Sequence, residues 1–335
     1  MSLVEVEPSA WDDVLDRLGV DDAYFRRGYV ESAALLDAGE PVLLHGGDAV
    51  HPVLVREIPG SDPLDVTTAY GFGGPVGGDC WDLYDRWAAE RGVVTSFIRF
   101  HPLYANHRGA SPSVRLEPLA GTVGWRLDKP DLFAGMHRSH RNKCRKAERA
   151  GVSVEVSEAP ERLDRFAALY ERTMARVDAE DFYFFRAEYW EALAAGLRAR
   201  VVQFDAVLDG ESIASALCLS GGPWFHYHLG ASLDEARRLG ASNLLLYEAG
   251  AWAKERGFEL FHLGGGVGGG ADSLLAFKRC FDPEAGLCER WLGKVVHDEE
   301  AYRALGGDAA SLDGFFPAYR VPGALSQTAG TPNRR

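Results

Sequence analysis

The sequence predicts an α+β chain of two domains, each a mixed, mostly antiparallel sheet flanked by helices. Three observations predict it. At 335 residues the chain has room for two cores of ordinary size. Hydrophobic residues at 46% and charged residues at 25% are the balance of a folded globular protein. Short strands alternate irregularly with amphipathic helices, without the strict strand–helix–strand repeat of a doubly wound sheet.

The elements read in order as follows. Trp11 to Leu18 and Ala23 to Asp37 have helical periodicity, and Pro41 to Leu44 and Val50 to Glu57 are apolar strands. A glycine-dense loop, Tyr70 to Gly78, separates them from a helix at Trp81 to Arg91 and a strand at Val93 to Phe100, which ends at His101-Pro102. Ser113 to Pro118 and Val123 to Leu127 read as short strands, and Asp128-Lys129-Pro130 as a helix start and domain boundary. Leu132 to Ala150 is helical and stopped by Gly151, with a strand at Val152 to Val156. Ala159 to Val177 and Arg186 to Arg198 are helices. Val201 to Leu208 and Ile213 to Ser220 form a hairpin around Asp209-Gly210. A strand at Trp224 to Gly230, a helix at Ser242 to Arg256 and a strand at Phe258 to Leu263 lead to the loop Gly264 to Gly270, the helix Asp272 to Cys280 and a late strand, Glu289 to Val296. The first domain is expected to span 1–127, completed by 293–325, and the second 128–292. The polar tail at 326–335 is expected to be disordered.

Charge and cysteine usage exclude several classes. A net charge of −13 gives no general attraction to nucleic acid, so any polyanion must meet a local basic patch. No run of eighteen apolar residues exists and the N-terminus lacks a signal-peptide pattern, so the expectation is a cytoplasmic protein with no stable membrane insertion. The five cysteines are scattered and never form a CxxC pair, which points to reduced thiols and not to a zinc site.

Such a patch lies at Arg138-Ser-His-Arg141-Asn-Lys143-Cys-Arg145-Lys146-Ala-Glu-Arg149. Arg138, Arg141, Arg145 and Arg149 recur at three- and four-residue spacing and share a helical face, either a solvated surface or a phosphate-binding one. Arg237-Arg238-Leu-Gly240-Ala-Ser242 opens a helix, where backbone amides suit an anion. The run Gly264 to Gly270 contains G-x-G-x-x-G, but too little chain follows for a dinucleotide-binding sheet. His226 and His228 share a strand face near His262, so three imidazoles are expected close together, although packed histidines are commoner than a metal site and none is assigned. His101, at a strand end, is the candidate general base, with a structural histidine as the alternative.

Four stretches in order resemble the Fem family of peptidyltransferases: Tyr70-Gly-Phe72-Gly-Gly-Pro75, the basic helix from His137 to Gly151, Tyr227-His228-Leu-Gly-Ala-Ser232, and Leu263-Gly-Gly265-Gly leading to Phe277-Lys278. The resemblance covers roughly residues 65–282. It implies two tandem GNAT-like (acyl-CoA N-acyltransferase) domains without a coiled-coil arm, and transfer of an amino acid from aminoacyl-tRNA, as co-substrate, to an amine, with no bound cofactor. By resemblance Lys278 stabilises the oxyanion or the terminal ribose and phosphate, and Phe277 packs the acyl-bearing end. Tyr70, Phe72, Arg99, Tyr227, His228 and Gly265 line the substrates. Arg138, Arg141, Lys143, Arg145, Lys146, Arg237 and Gly240 meet the phosphates of the charged tRNA. The chain departs from the family at His101-Pro102, where an Asp-Pro is usual. The acceptor is a peptidoglycan precursor or a small natural product. Two alternatives stand: an acetyl-CoA-dependent acyltransferase using the Arg237–Ser242 turn, and an inactive precursor-binding protein.

Overall fold

The computed structural model of the chain describes residues 2–321, so the tail expected at 326–335 lies outside the described residues. The chain divides into two compact units. One comprises the residues up to Gly19, Asp37–Pro118 and Arg290 onward; the other comprises Val20–Leu36 and Leu119–Glu289. The sequence assigned 20–36 to the first domain, but in the structure it belongs to the second unit. Its anchors there are distant in sequence: Asp21 pairs with Arg200 at 2.6 Å, and buried Asp22 bonds His226 at 2.8 Å.

The first unit contains β1 (Val4–Glu5), β2 (Glu40–Gly46), β3 (Ala49–Glu57), β4 (Leu64–Thr67) and β5 (Val93–Arg99). Then come β6 (Arg115–Arg126), β7 (Ser153–Glu158), β8 (Val201–Leu208), β9 (Glu211–Gly221), β10 (Trp224–Ser232), β11 (Leu260–Gly264) and β12 (Leu287–Val296). Strand order is β1-β2-β3-β4-β5-β12 in the first unit and β7-β8-β9-β10-β11-β6 in the second. The two orders have one plan: all neighbours are antiparallel except one parallel pair, β4–β5 and β10–β11 respectively. The sixth strand of each sheet comes from the other half of the sequence, since β12 pairs with β5 and β6 with β11.

Helices α1 (Trp11–Arg17), α2 (Arg27–Asp37), α3 (Trp81–Arg91), α4 (Leu132–Gly135), α5 (Arg138–Arg149), α6 (Asp164–Arg176), α7 (Ala187–Leu197), α8 (Asp234–Leu239), α9 (Ala241–Glu255), α10 (Ser273–Arg279) and α11 (Glu299–Ala304) complete the units. The longest among the described residues, α9, has 15 residues, so they contain no coiled-coil arm. None is long and apolar enough to cross a membrane. The first core gathers Val53, Trp81, Tyr84, Ile98 and Phe100. The second gathers Trp125, Phe204, Phe225, Leu244, Leu245, Phe261 and Phe281 between sheet and helices. Burial of these apolar side chains is the main term holding each unit.

Local differences from the sequence reading have physical causes. The helix expected over Leu132 to Ala150 breaks into α4 and α5, because Asp131 caps the first (Ala134 N to Oδ1, 2.9 Å) and His137 caps the second. The strands expected at Ser113 to Pro118 and Val123 to Leu127 are one strand, β6. Strand β4 was not foreseen: its buried Asp65 reads as a turn residue but is neutralised by Arg56 and Arg320 at 2.8 and 2.7 Å.

Candidate functional site

In the second unit the parallel pair β10–β11 is in register at Trp224–Leu260, Phe225–Phe261 and His226–His262, and its pairing stops there. Beyond that rung Tyr227 and the strand end at Gly264 part company. A parallel pair that opens in mid-sheet leaves backbone groups and side chains facing one another across a wedge, a place for a ligand.

Lys278 stands in this wedge. The run Gly264 to Gly270 carries the chain to α10, which Asp272 caps by accepting from Leu275 N at 2.9 Å; its other oxygen accepts from Val267 N, also at 2.9 Å. These amide bonds hold the Asp272 carboxyl below its ordinary range. Thus fixed, α10 directs Lys278 inward, where Nζ is buried, donates to the Gly265 carbonyl at 2.7 Å and lies 5.4 Å from the Tyr227 ring centre. Tyr227 is in turn folded over Gly230: a Cβ built there would fall 1.7 Å from the Tyr227 hydroxyl, so only glycine fits. Burial raises the Tyr227 phenol above its ordinary pKa, which keeps it neutral beside the lysine. Lys278, Tyr227 and Gly265 therefore form one cluster. Phe277 does not join it; its ring packs on His140 and Phe281, at 4.9 and 5.5 Å, and so binds α10 to α5.

Helix α5 buries His140, Cys144 and Ala147 and turns its cations outward. They divide into two groups. Arg141 donates to the Ala134 and Met136 carbonyls, Arg145 lies 5.1 Å over the Phe133 ring, and Lys146 donates to the Arg238 carbonyl at 2.7 Å. Arg138, Lys143 and Arg149 are exposed. The Arg237–Ser242 turn lies under this helix. Gly240, at φ +84°, joins α8 to α9, and a Cβ on it would sit 2.7 Å from the Lys143 carbonyl oxygen. The Asn243 and Leu244 amides return to the Gly240 carbonyl at 3.1 and 3.2 Å, while Arg237 is exposed.

His228 is on the strand face opposite Tyr227, since successive strand residues alternate. Its nitrogens meet the Tyr24 and Tyr189 hydroxyls at 3.3 and 3.0 Å, and burial pushes its pKa down to about 3. It is a neutral core imidazole away from Lys278. Of the three imidazoles expected together, two meet: His226 Nδ1 is 3.2 Å from His262 Nδ1.

The corresponding wedge in the first unit is stitched shut. After Thr67–Phe97 the pairing of β4 and β5 ends, but the Tyr70–Pro75 loop folds back onto β5: Gly73 N donates to the Arg99 carbonyl at 2.7 Å and His101 N to the Gly73 carbonyl at 3.0 Å. Asn106 Nδ2 ties the Gly73 and Pro75 carbonyls, at 2.9 and 3.0 Å. Arg99 donates to Thr67 Oγ1 and the Thr68 carbonyl and lies 4.9 Å over Phe97. Buried His101 packs against Phe72, and its Nδ1 accepts from Tyr104 N at 3.2 Å. That bond occupies the Nδ1 lone pair of His101. Tyr70, in the same loop, is partly buried.

Residues 134–279 match the family described as the acetyltransferase (GNAT) domain. The chain is a tandem GNAT-fold protein. The matched stretch contains α5, the wedge and Lys278. Similar solved structures extend the fold over nearly the whole chain. FemX is 16% identical over 91% of this chain and 99% of that one, with a TM-score of 0.65. The C-terminal domain of a lysylphosphatidylglycerol synthetase from Agrobacterium fabrum is 17% identical over 88% of this chain and 94% of its own, with a TM-score of 0.59. A tandem GNAT protein from the clavulanic acid biosynthesis pathway is 14% identical over 89% and 98%, at 0.52. The Fem resemblance read from the sequence is thus matched in fold. No curated protein sequence matches the tandem GNAT chain.

Proposed function

We propose that the chain is an aminoacyltransferase that moves an aminoacyl group from charged tRNA to an amine. One observation carries the reading: a buried ammonium, Lys278, fixed by the Gly265 carbonyl at the mouth of the open parallel pair. Attack of an amine on an ester makes a tetrahedral oxyanion, and preorganised positive charge in a water-poor wedge lowers that barrier most. The ester is already activated, so positioning and this charge suffice without ATP or a resident cofactor. The exposed Arg138, Lys143 and Arg149 supply a cationic edge for phosphates, on a helix packed against α10 through His140 and Phe277. The names of two similar structures, FemX and a lysylphosphatidylglycerol synthetase domain, support this class of donor. The acceptor amine belongs to a peptidoglycan precursor or a small molecule, and the reaction belongs in the cytoplasm, where tRNA is charged.

The GNAT match favours a second reading, acetyl-CoA as donor. Against it, the turn that would take the pyrophosphate lies against α5 at Lys143. The deciding experiment offers the pure protein tRNA charged with mixed labelled amino acids, or acetyl-CoA, each with a panel of amines. Label passing from tRNA into an amide supports the proposal. Label passing from acetyl-CoA alone overturns it.

A further inference from the structure

Helices α6 and α7 and the turn between them enclose a cavity of about 360 Å³ that the transfer site does not use. Helix α7 packs on the second sheet through Tyr189, whose hydroxyl meets His228 at 3.0 Å, on the strand face opposite Tyr227 and Lys278. The cavity thus lies on the other side of the sheet from the wedge.

The sequence sets its shape. On α6, Asp164, Ala168 and Glu171 recur at helical spacing and share one face, with Ala167 beside them. The two alanine side chains are too short to fill the gap to the turn. That turn carries four consecutive aromatic residues, Phe182-Tyr-Phe184-Phe185. Phe185 closes on Tyr170 of α6 and Trp190 of α7, with ring centres 5.5 and 5.6 Å away, and Tyr170 and Trp190 are 5.4 Å apart. This triangle of rings makes a fixed aromatic wall. Phe184 stands at the rim of the cavity and stays 39% exposed, which core packing does not account for.

The charge around the cavity has one sign. Asp164 and Glu171 line it, and Asp178, Glu180, Asp181, Glu188 and Glu191 follow nearby in sequence, against Arg186 alone between 178 and 191. Arg162 takes Asp164 at 2.6 Å, whereas Glu171 is in no ion pair among the described residues. Aromatic faces are negative, and a carboxylate beside them adds to that field, so the combination attracts an organic cation and repels anions.

We infer that this cavity is a binding site for a small organic ammonium ion, a primary or quaternary amine on a short apolar body. The cation rests on the aromatic wall with its charge toward Glu171, and the apolar body fills the space over Ala167 and Ala168 beneath Phe184. The size fits, because small-molecule pockets begin at about 300 Å³. The site stands independently of the transfer reaction proposed above.

The test is a proton NMR titration of the full chain with butylammonium and with choline, and with butanol as the uncharged control. Both cations should bind with Kd on the order of 1 mM, as suits so few atoms, and added salt should weaken them. Butanol should bind about tenfold more weakly. Glu171→Gln should weaken the cations about threefold, the scale of one exposed charge, and Ala168→Phe, which fills the cavity, should abolish binding. Both positions are exposed, so melting curves of the two variants should stay close to that of the unaltered protein. Equal affinity for butanol and butylammonium overturns the inference, as does cation binding untouched by both substitutions, or the absence of saturable binding. Binding of a lysine-rich peptide with neither small cation bound also overturns it, and makes this face a protein-docking surface.

Discussion

Lys278 Nζ donates to the Gly265 carbonyl at 2.7 Å, and this contact ties helix α10 to the strand end that parts from β10. It places a cation where the sheet opens, the position at which positive charge would stabilise a developing oxyanion.

The fit of Tyr227 over Gly230 leads to the first prediction. Gly230→Ala places a methyl where the Tyr227 hydroxyl lies, 1.7 Å from it, and must displace the ring that faces Lys278. Overpacking of this kind costs about 1–3 kcal/mol. Thermal melting should fall by several degrees and transfer should be largely lost; an active, unshifted Gly230→Ala variant would show that the ring is not held as described.

The division of cations on α5 is a second. Reversing Arg138, Lys143 and Arg149 to Glu should weaken binding of a tRNA acceptor stem and lower the slope of log affinity against log salt by about one per cation, with little change in melting. Arg141→Ala and Lys146→Ala should instead lower the melting temperature, since these side chains satisfy the Ala134, Met136 and Arg238 carbonyls. Binding titrations at several salt concentrations, beside melting curves, check both halves.

A third concerns acid. Burial pushes His51 and His228 each down to about 3 from the ordinary 6.5. The folded chain then binds fewer protons than the unfolded one between those values. Their contribution to stability is complete above about pH 6.5 and lost as pH falls toward the folded value, by about 1.4 kcal/mol per unit for each ring. Urea unfolding at pH 7, 6 and 5 should show this decline. His51→Leu should shallow it by one proton; an unchanged slope would mean that His51 is protonated when folded.

Much of this was legible in the sequence because local signals decided it. Asp272 reads as an N-cap and caps α10, and the Phe277-Lys278 pair after the glycine loop pointed to the lysine that occupies the wedge. The basic helix was also plain, but which of its cations are spent was not, because that depends on the Ala134 and Arg238 carbonyls it meets in the fold. Asp22 and Thr122 gave no signal: each is an ordinary polar residue until the packing of 20–36 and of β6 brings it to a histidine. His226 and His228 share a face as their spacing requires, yet the tyrosines that claim His228, Tyr24 in the 20–36 segment and Tyr189 in α7, are far away in sequence. His101 reads as a base by type and position, and the amide bond that its Nδ1 accepts from Tyr104 depends on a loop contact that no local signal announces.

The most direct test of the central claim is a single-turnover measurement with tRNA charged with the amino acid that the donor panel identifies. Transfer to the amine should be slowed about 100- to 1,000-fold in Lys278→Ala, the cost of losing one oxyanion-stabilising group, with binding of the charged tRNA nearly unchanged. Transfer at the original rate without the Lys278 ammonium would contradict the account, because the wedge would then hold no group on which the chemistry depends.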